Sequence, residues 1–406
     1  MRTATTPATG RIAPSSSGWP AVLAVTTGIF AIVTTEILPI GLLTSIGADF
    51  TVSDGTAGLT MALPGYVAAA SAPTVTVATA GVDRRRMLCA FMLLLACANV
   101  LAAAAPAYWA VLLSRVLVGI VIGGFWSVGS GLAGRLVPAR SARRATAVVF
   151  SAVPLGSVLG VPLGTLIGDL GGWRAGFLMP GALSAAVLVA LALLLPPLPA
   201  ERAARLDVLR GMLRGTGTRS ALLLTFLIVL AHFGAYTYVT PFLEGVTEVA
   251  PARIPLFLLA YGAAGIAGTF LVGTAAARRP HAAFGAAGAL IALAVLGLPF
   301  LGRTEPGALG LLVVWGIGYG AVPVCSQACF ARSAPQSPEA ASVLFTASFQ
   351  ATLSSGALAG GVVLDHASPR TLMLLGGATA AAMVVTTALL DRVTGGEHQN
   401  GGDPAT

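Results

Sequence analysis

The chain has 406 residues, of which 56% are hydrophobic and only 9% charged, and its formal charge is +8. Soluble domains carry about 25% charged residues, so this balance excludes a soluble multidomain enzyme. All 23 basic residues are arginine; without lysine the chain can have neither a P-loop ATPase site nor lysine Schiff-base chemistry.

In chain order, residues 1–18 are rich in Ser, Thr and Pro and read as a disordered tail. The apolar block that follows is longer than a signal-peptide core of about 7–15 residues and reads as a first span. A helix needs about 20 apolar residues to cross a bilayer. Such blocks occur at 20–46, 55–80, 87–105, 108–134, 142–170 and 174–196, and again at 220–243, 254–277, 282–301, 306–331, 340–364 and 370–390. The expectation is an all-α membrane protein of twelve spans, with six-helix halves at 19–196 and 220–391. The polar segment 197–219 links them, and 392–406 is a second disordered tail. Leu206, Leu209, Met212 and Leu213 recur at helical spacing, so part of the linker is expected to lie along the membrane interface.

The arginines mark orientation. With the N-terminus inside, 18 fall in cytoplasmic segments (2, 11, 84–86, 135, 140, 143, 144, 202, 205, 210, 214, 219, 278, 279, 332 and 392). Only Arg174, Arg253, Arg303 and Arg370 fall outside, and Arg115 lies within a span. The positive-inside rule therefore predicts cytoplasmic termini. The basic charge is topological, and no basic face with stacking aromatics suggests nucleic acid. Cys89, Cys97, Cys325 and Cys329 lie in or beside spans without further ligands nearby, so helix packing is expected and no metal or cofactor.

Within TTEILPIGLL (34–43), Glu36 is the only charged residue between Arg11 and Asp49. A carboxylate inside a bilayer costs on the order of 2.5 kcal/mol or more and marks a functional position. At about 1.5 Å rise per residue, Glu36 and Arg115 fall within roughly 5 Å of the same depth. They are expected to influence each other. A low dielectric favours the neutral carboxyl and a nearby guanidinium the carboxylate. That competition suits a group that takes up and releases a proton while a substrate competes for it. His232, Tyr236 and Tyr238 in span 7, with Trp126 and Gln327, are candidate substrate contacts. Trp315, Tyr319 and Gln350 are weaker ones, for which interhelical bonding is equally expected.

The halves repeat. GVPLGTLIGDLGGWR (160–174) and GALAGGVVLDHASPR (356–370) match at Gly160/Gly356, Gly164/Gly360, Asp169/Asp365 and Arg174/Arg370. Aligning Thr35 with Thr237 and Pro39 with Pro241 places Tyr238 at the position of Glu36. Such repeats commonly set a binding site between the halves. Gly156, Gly160, Gly164 and Gly168 form a one-sided stripe that lets helices approach closely, and Pro162 can kink it.

Four motifs resemble the major facilitator superfamily in its twelve-helix drug:proton antiporter branch, in particular bacterial permeases of the arabinose-efflux and chloramphenicol-resistance type. They are TTEILPIGLL, DRRR (83–86), LLSRVLVGIVIGG (112–124) and GSVLGVPLG (156–164). The resemblance covers about residues 20 to 390. It implies gating roles for Asp83, Arg84, Arg85, Arg86, Gly156, Gly160, Pro162 and Gly164, and spans 1, 4, 7 and 10 lining a central cavity that Glu36 and Arg115 are then expected to face. Thr79 stands where the loop motif usually has Gly. The expectation is a secondary transporter and not an enzyme. It would be a monomer in a bacterial plasma membrane, exporting a small amphipathic compound in exchange for protons. The alternative is a proton-coupled sugar or metabolite permease on the same fold.

Overall fold

The computed structural model describes residues 18–79, 81–129, 132–199, 211–336 and 338–400. Within them no strand occurs. Eleven of the described helices are long and apolar enough to cross a membrane. Leu59–Ala78 is equally long but diluted by Pro64, Pro73, Thr and Ser; it is the second of twelve spans.

In order, span 1 is Trp19–Ile37 continued by Pro39–Phe50, span 2 Leu59–Ala78, span 3 Arg84–Ala103, span 4 Tyr108–Gly129, span 5 Ala142–Gly171 and span 6 Trp173–Leu194. Span 7 is Thr216–Tyr236 continued by Val239–Gly245, span 8 Ile254–Arg278, span 9 Pro280–Leu301, span 10 Glu305–Ser333, span 11 Pro338–His366 and span 12 Pro369–Asn400. The last helix extends past its sequence-predicted edge. Leu206 and Leu209 of the linker lie outside the described residues.

The packing repeats as the sequence does. Spans 1 and 5, 2 and 4, and 3 and 6 pair in the first half; 7 and 11, 8 and 10, and 9 and 12 pair in the second. Gly119 approaches the Pro64 carbonyl and Gly123 that of Ala68; Gly316 approaches the Tyr261 carbonyl and Gly320 that of Gly265. Each of these positions recurs 197 residues later. Glycine is required there because a Cβ would collide with the neighbouring backbone. The outside of the bundle is apolar, with Leu170, Leu193 and Phe270 each more than three-quarters exposed, as a lipid-facing surface demands.

The halves meet through spans 2 and 11 and spans 5 and 8. Hydrogen bonds between them gather at the end opposite Gly18, the distal end. There Thr240 Oγ1 donates to the Ile40 carbonyl at 2.9 Å, Thr44 Oγ1 to Glu244 at 3.3 Å, and Tyr66 and Ser355 join hydroxyls at 2.9 Å. Ile40 and Thr240, like Thr44 and Glu244, are 200 residues apart. Equivalent residues touch in this way only where a two-fold relation brings them to its axis. The glycine stripes agree: Gly164 packs on Leu38, and Gly360 on Tyr238. The repeat in this helix pair therefore runs at an offset of 200, not 202. The counterpart of Glu36 is Tyr236, and Tyr238 is that of Leu38. The Thr and Pro identities aligned in the sequence do not sit at matching places in the fold.

Candidate functional site

Span 1 breaks at Leu38 because Pro39 has no N–H to give the Thr35 carbonyl four residues back. Pro64 leaves the Thr60 carbonyl of span 2 in the same position. Arg115 of span 4, fully buried, serves both. Its Nη1 donates to Thr35 O at 3.0 Å, Nη2 to Glu36 O at 2.9 Å, and Nε to Thr60 O at 2.9 Å. One rigid guanidinium thus joins three spans, at the proline break of span 1 and at the proline inside span 2. The expected mutual influence is kept, since the guanidinium charge still bears on the Glu36 carboxylate, but the expected place facing a cavity is not. Arg115 reaches Glu36 at its main chain, makes no ion pair with it, and is sealed from any cavity. Nearby, Asn99 Nδ2 donates to Thr35 Oγ1 at 3.1 Å.

The Glu36 carboxylate points instead across the boundary between the halves. Its Oε1 accepts from Gln350 Nε2 of span 11 at 2.8 Å, and the residue is 8% exposed. A buried carboxylate needs such a donor. Tyr319 of span 10 stands within its electrostatic reach.

Behind Tyr319 lies an aromatic cluster in the C-terminal half. The His232 ring stacks on Tyr319 with centroids 3.5 Å apart and planes 9° apart, and more loosely on Tyr236 at 5.1 Å. Tyr236 stacks in turn on Tyr261 at 4.3 Å. Trp315 Nε1 donates to His232 Nδ1 at 3.0 Å, and Tyr261 Oη lies 3.5 Å from Nε2. An indole nitrogen only donates, so Nδ1 carries no proton and the neutral ring is protonated on Nε2. His232 is held as a fixed ring, and a proton added at Nδ1 would break the Trp315 bond.

Tyr319 thus links Glu36, within its electrostatic reach, to His232 and Tyr236 of the aromatic cluster. Tyr238 does not join them. It is fully buried at the distal end, donating to Ala357 O at 2.6 Å. Trp126 packs against Phe150 in the N-terminal half, and Gln327 is exposed on span 10. Neither touches Glu36 or His232 among the described contacts.

Asp83 caps span 3, accepting from Arg85 N at 2.9 Å and Arg86 N at 3.4 Å, while its other oxygen accepts from Leu198 N at 2.8 Å. Arg84 N donates to Leu198 O at 2.9 Å, and the Arg85 guanidinium donates to Ala192 O. These bonds tie the start of span 3 to the end of span 6 within one half. In the glycine stripe, Gly156 faces Val33, Gly160 faces Thr34 and Gly164 faces Leu38. The stripe, with Pro162 buried in it, therefore lies directly against the break in span 1.

Tyr261 and Phe233, members of the aromatic cluster, were not singled out in the sequence, and Gln350 had no mark beyond its polarity. The two prolines four residues after Thr35 and Thr60 were the readable signal for Arg115's partners.

Residues 23–352 match the family model described as Major Facilitator Superfamily. Over 94% of its length the chain is 35% identical to a Pseudomonas aeruginosa protein named transcription regulatory protein OpdE, covering 95% of it. Over 93% it is 29% identical to the purine ribonucleoside efflux pump NepI of Salmonella typhimurium, covering 95% of that protein. Among solved structures, a bacterial homologue of the lysosomal transporter Spinster, in an inward-facing and occupied conformation, superposes with a TM-score of 0.75. The match spans 93% of this chain and 97% of the other at 17% identity. A human organic anion transporter gives 0.67 over 91% and 99%. These two likenesses establish the fold. By the family match over most of its length, this multi-pass membrane protein belongs to the major facilitator superfamily.

Proposed function

We propose that the chain is a proton-coupled exporter that works by alternating access in a bacterial plasma membrane, both termini cytoplasmic. Its substrate is a small amphipathic compound with a planar heteroaromatic ring, such as a purine ribonucleoside. The observation that carries this reading is the Glu36 carboxylate, buried between the halves and held by Gln350. A proton on Glu36 removes the charge that the amide is holding, and a substrate donor can take the amide's place. Either event acts on the contact between spans 1 and 11. Tyr319, partly exposed beside Glu36, offers a ring face on which a base can stack. The name of the Salmonella relative favours nucleosides over sugars alone.

In this reading the distal end faces outward and is closed. The arginine distribution supports that orientation. The test is transport in inside-out membrane vesicles. An imposed proton gradient, acid inside, drives uptake of radiolabelled purine ribonucleosides by the wild type. Glu36→Gln abolishes gradient-driven uptake. Uptake in the opposite direction, with protons, would instead establish the sugar or metabolite permease alternative.

The name of the Pseudomonas aeruginosa relative favours a second reading, in which the chain influences gene expression. A Glu36→Gln protein that exports nothing yet still changes expression would decide for it.

A further inference from the structure

The short helix Asp54–Ala57, between spans 1 and 2, is held from both halves. Within its own half, Tyr108 Oη donates to Thr56 O at 2.6 Å. From the other half, Asp365 near the end of span 11 takes two bonds. The Ser53 hydroxyl donates to its Oδ2 at 2.7 Å, and the Gly55 N–H to its Oδ1 at 3.0 Å. Ser53 is the N-cap of the short helix, so Asp365 grips the helix at its start.

The fit is close enough to demand glycine twice. A Cβ on Gly55 would collide with the Asp365 carboxyl and the Gly361 carbonyl. One on Gly361 would stand 2.5 Å from Tyr238 Oη and 2.8 Å from Gly55 O. Tyr238 itself is anchored to Ala357 one turn away. The sequence twin of Asp365 is Asp169, at the end of span 5. It is exposed and makes no hydrogen bond among the described residues. The grip is therefore one-sided, built by the second half on the first.

We propose that Asp365 is the latch of the distal gate: its two charge-assisted bonds hold the 53–58 corner against span 11 while the Glu36 site is shut off from that end, and they break when that end opens. The timing of opening rests on the alternating-access reading above, whereas the latch is tested without transport.

The experiment uses the full-length protein in proteoliposomes with Thr240→Cys as reporter. Thr240 is buried in the seam behind the latch, against Ile40 O. A hydrophilic maleimide is added, and the modified peptide is read by mass spectrometry, apart from Cys89, Cys97, Cys325 and Cys329. Asp365→Ala is expected to speed labelling of residue 240 at least about tenfold, the scale of one or two charge-assisted hydrogen bonds. Asp365→Asn and Ser53→Ala each give a smaller increase, and Ser53→Ala added to Asp365→Ala adds little, because both remove one interaction. Asp169→Ala leaves the rate unchanged. Unchanged labelling in Asp365→Ala and Ser53→Ala would overturn the proposal, as would an equal acceleration by Asp169→Ala. Faster labelling with no nucleoside exchange would keep the latch and reject the transport reading.

Discussion

Gln350 of span 11 donates its side-chain amide to the Glu36 carboxylate of span 1 at 2.8 Å. The pair joins the two halves through the only charged side chain between Arg11 and Asp49. Gln350→Ala strips a buried carboxylate of its donor. A hydrogen bond to a charged group is worth about 1.5–3 kcal/mol, so transport is expected to fall roughly ten- to a hundredfold, with the fold intact. Initial rates in vesicles, normalised to protein, measure this. A wild-type rate in Gln350→Ala would remove the pair from the cycle.

Arg115 supplies three donors to carbonyls of two other spans. Arg115→Met leaves them buried and unpaired, at about 3 kcal/mol or more, while Arg115→Lys recovers only part because an ammonium cannot reach three separated carbonyls. Restoring a helical N–H with Pro39→Ala and Pro64→Ala should soften the loss in Arg115→Met. A double-mutant cycle on thermal stability in detergent reads the coupling. Strict additivity would contradict the assignment.

The glycine contacts differ in what they meet. A methyl on Gly320 runs into the Gly265 carbonyl, whereas one on Gly164 meets the flexible end of Leu38. Backbone cannot yield as a leucine can, so Gly320→Ala is expected to lower the melting temperature by roughly 5 °C more than Gly164→Ala. Equal shifts would mean that the helices adjust as freely as side chains.

Much of this was legible in the sequence, for physical reasons. Twelve apolar blocks, a mid-chain polar break and the arginine bias state what a bilayer requires, and they predict the spans. Glu36 stood out because charge in such a block is costly. What could not be read was rotation and register. Whether Gln350 faces span 1 depends on how span 11 turns, and every polar residue in a span looks alike in one dimension. The Thr35/Thr237 and Pro39/Pro241 identities favoured an offset of 202, while the fold counts from the helix breaks and the symmetry axis and gives 200. Arg115 and Glu36 share a depth, which suggested that both side chains face one cavity. Carbonyls freed by Pro39 and Pro64 took the guanidinium instead.

At the distal corner, Asp54 lies outside the spans among Asp365, Glu244, Tyr108 and Tyr238. Partial burial, and then the charge of Asp365, raise its carboxyl above the ordinary value. A carboxyl so raised in the closed arrangement disfavours closure while charged. Closure should therefore strengthen as pH falls through the raised value toward the ordinary Asp range near about 3.9. Asp54→Asn is expected to slow labelling of Thr240→Cys a few-fold at pH 7. It should also flatten what pH dependence is left once the labelling rate is divided by the thiolate fraction. Faster labelling in Asp54→Asn would reverse the sign and refute this role.

The central claim is that Glu36 exchanges a proton for substrate. It is tested most directly by proton release from the detergent-purified protein, followed with a pH indicator in weak buffer as purine ribonucleosides, other drugs and sugars are added in turn. The account predicts release on adding a purine ribonucleoside, and none from Glu36→Gln. Release that persists undiminished in Glu36→Gln would contradict it and move the proton to another group.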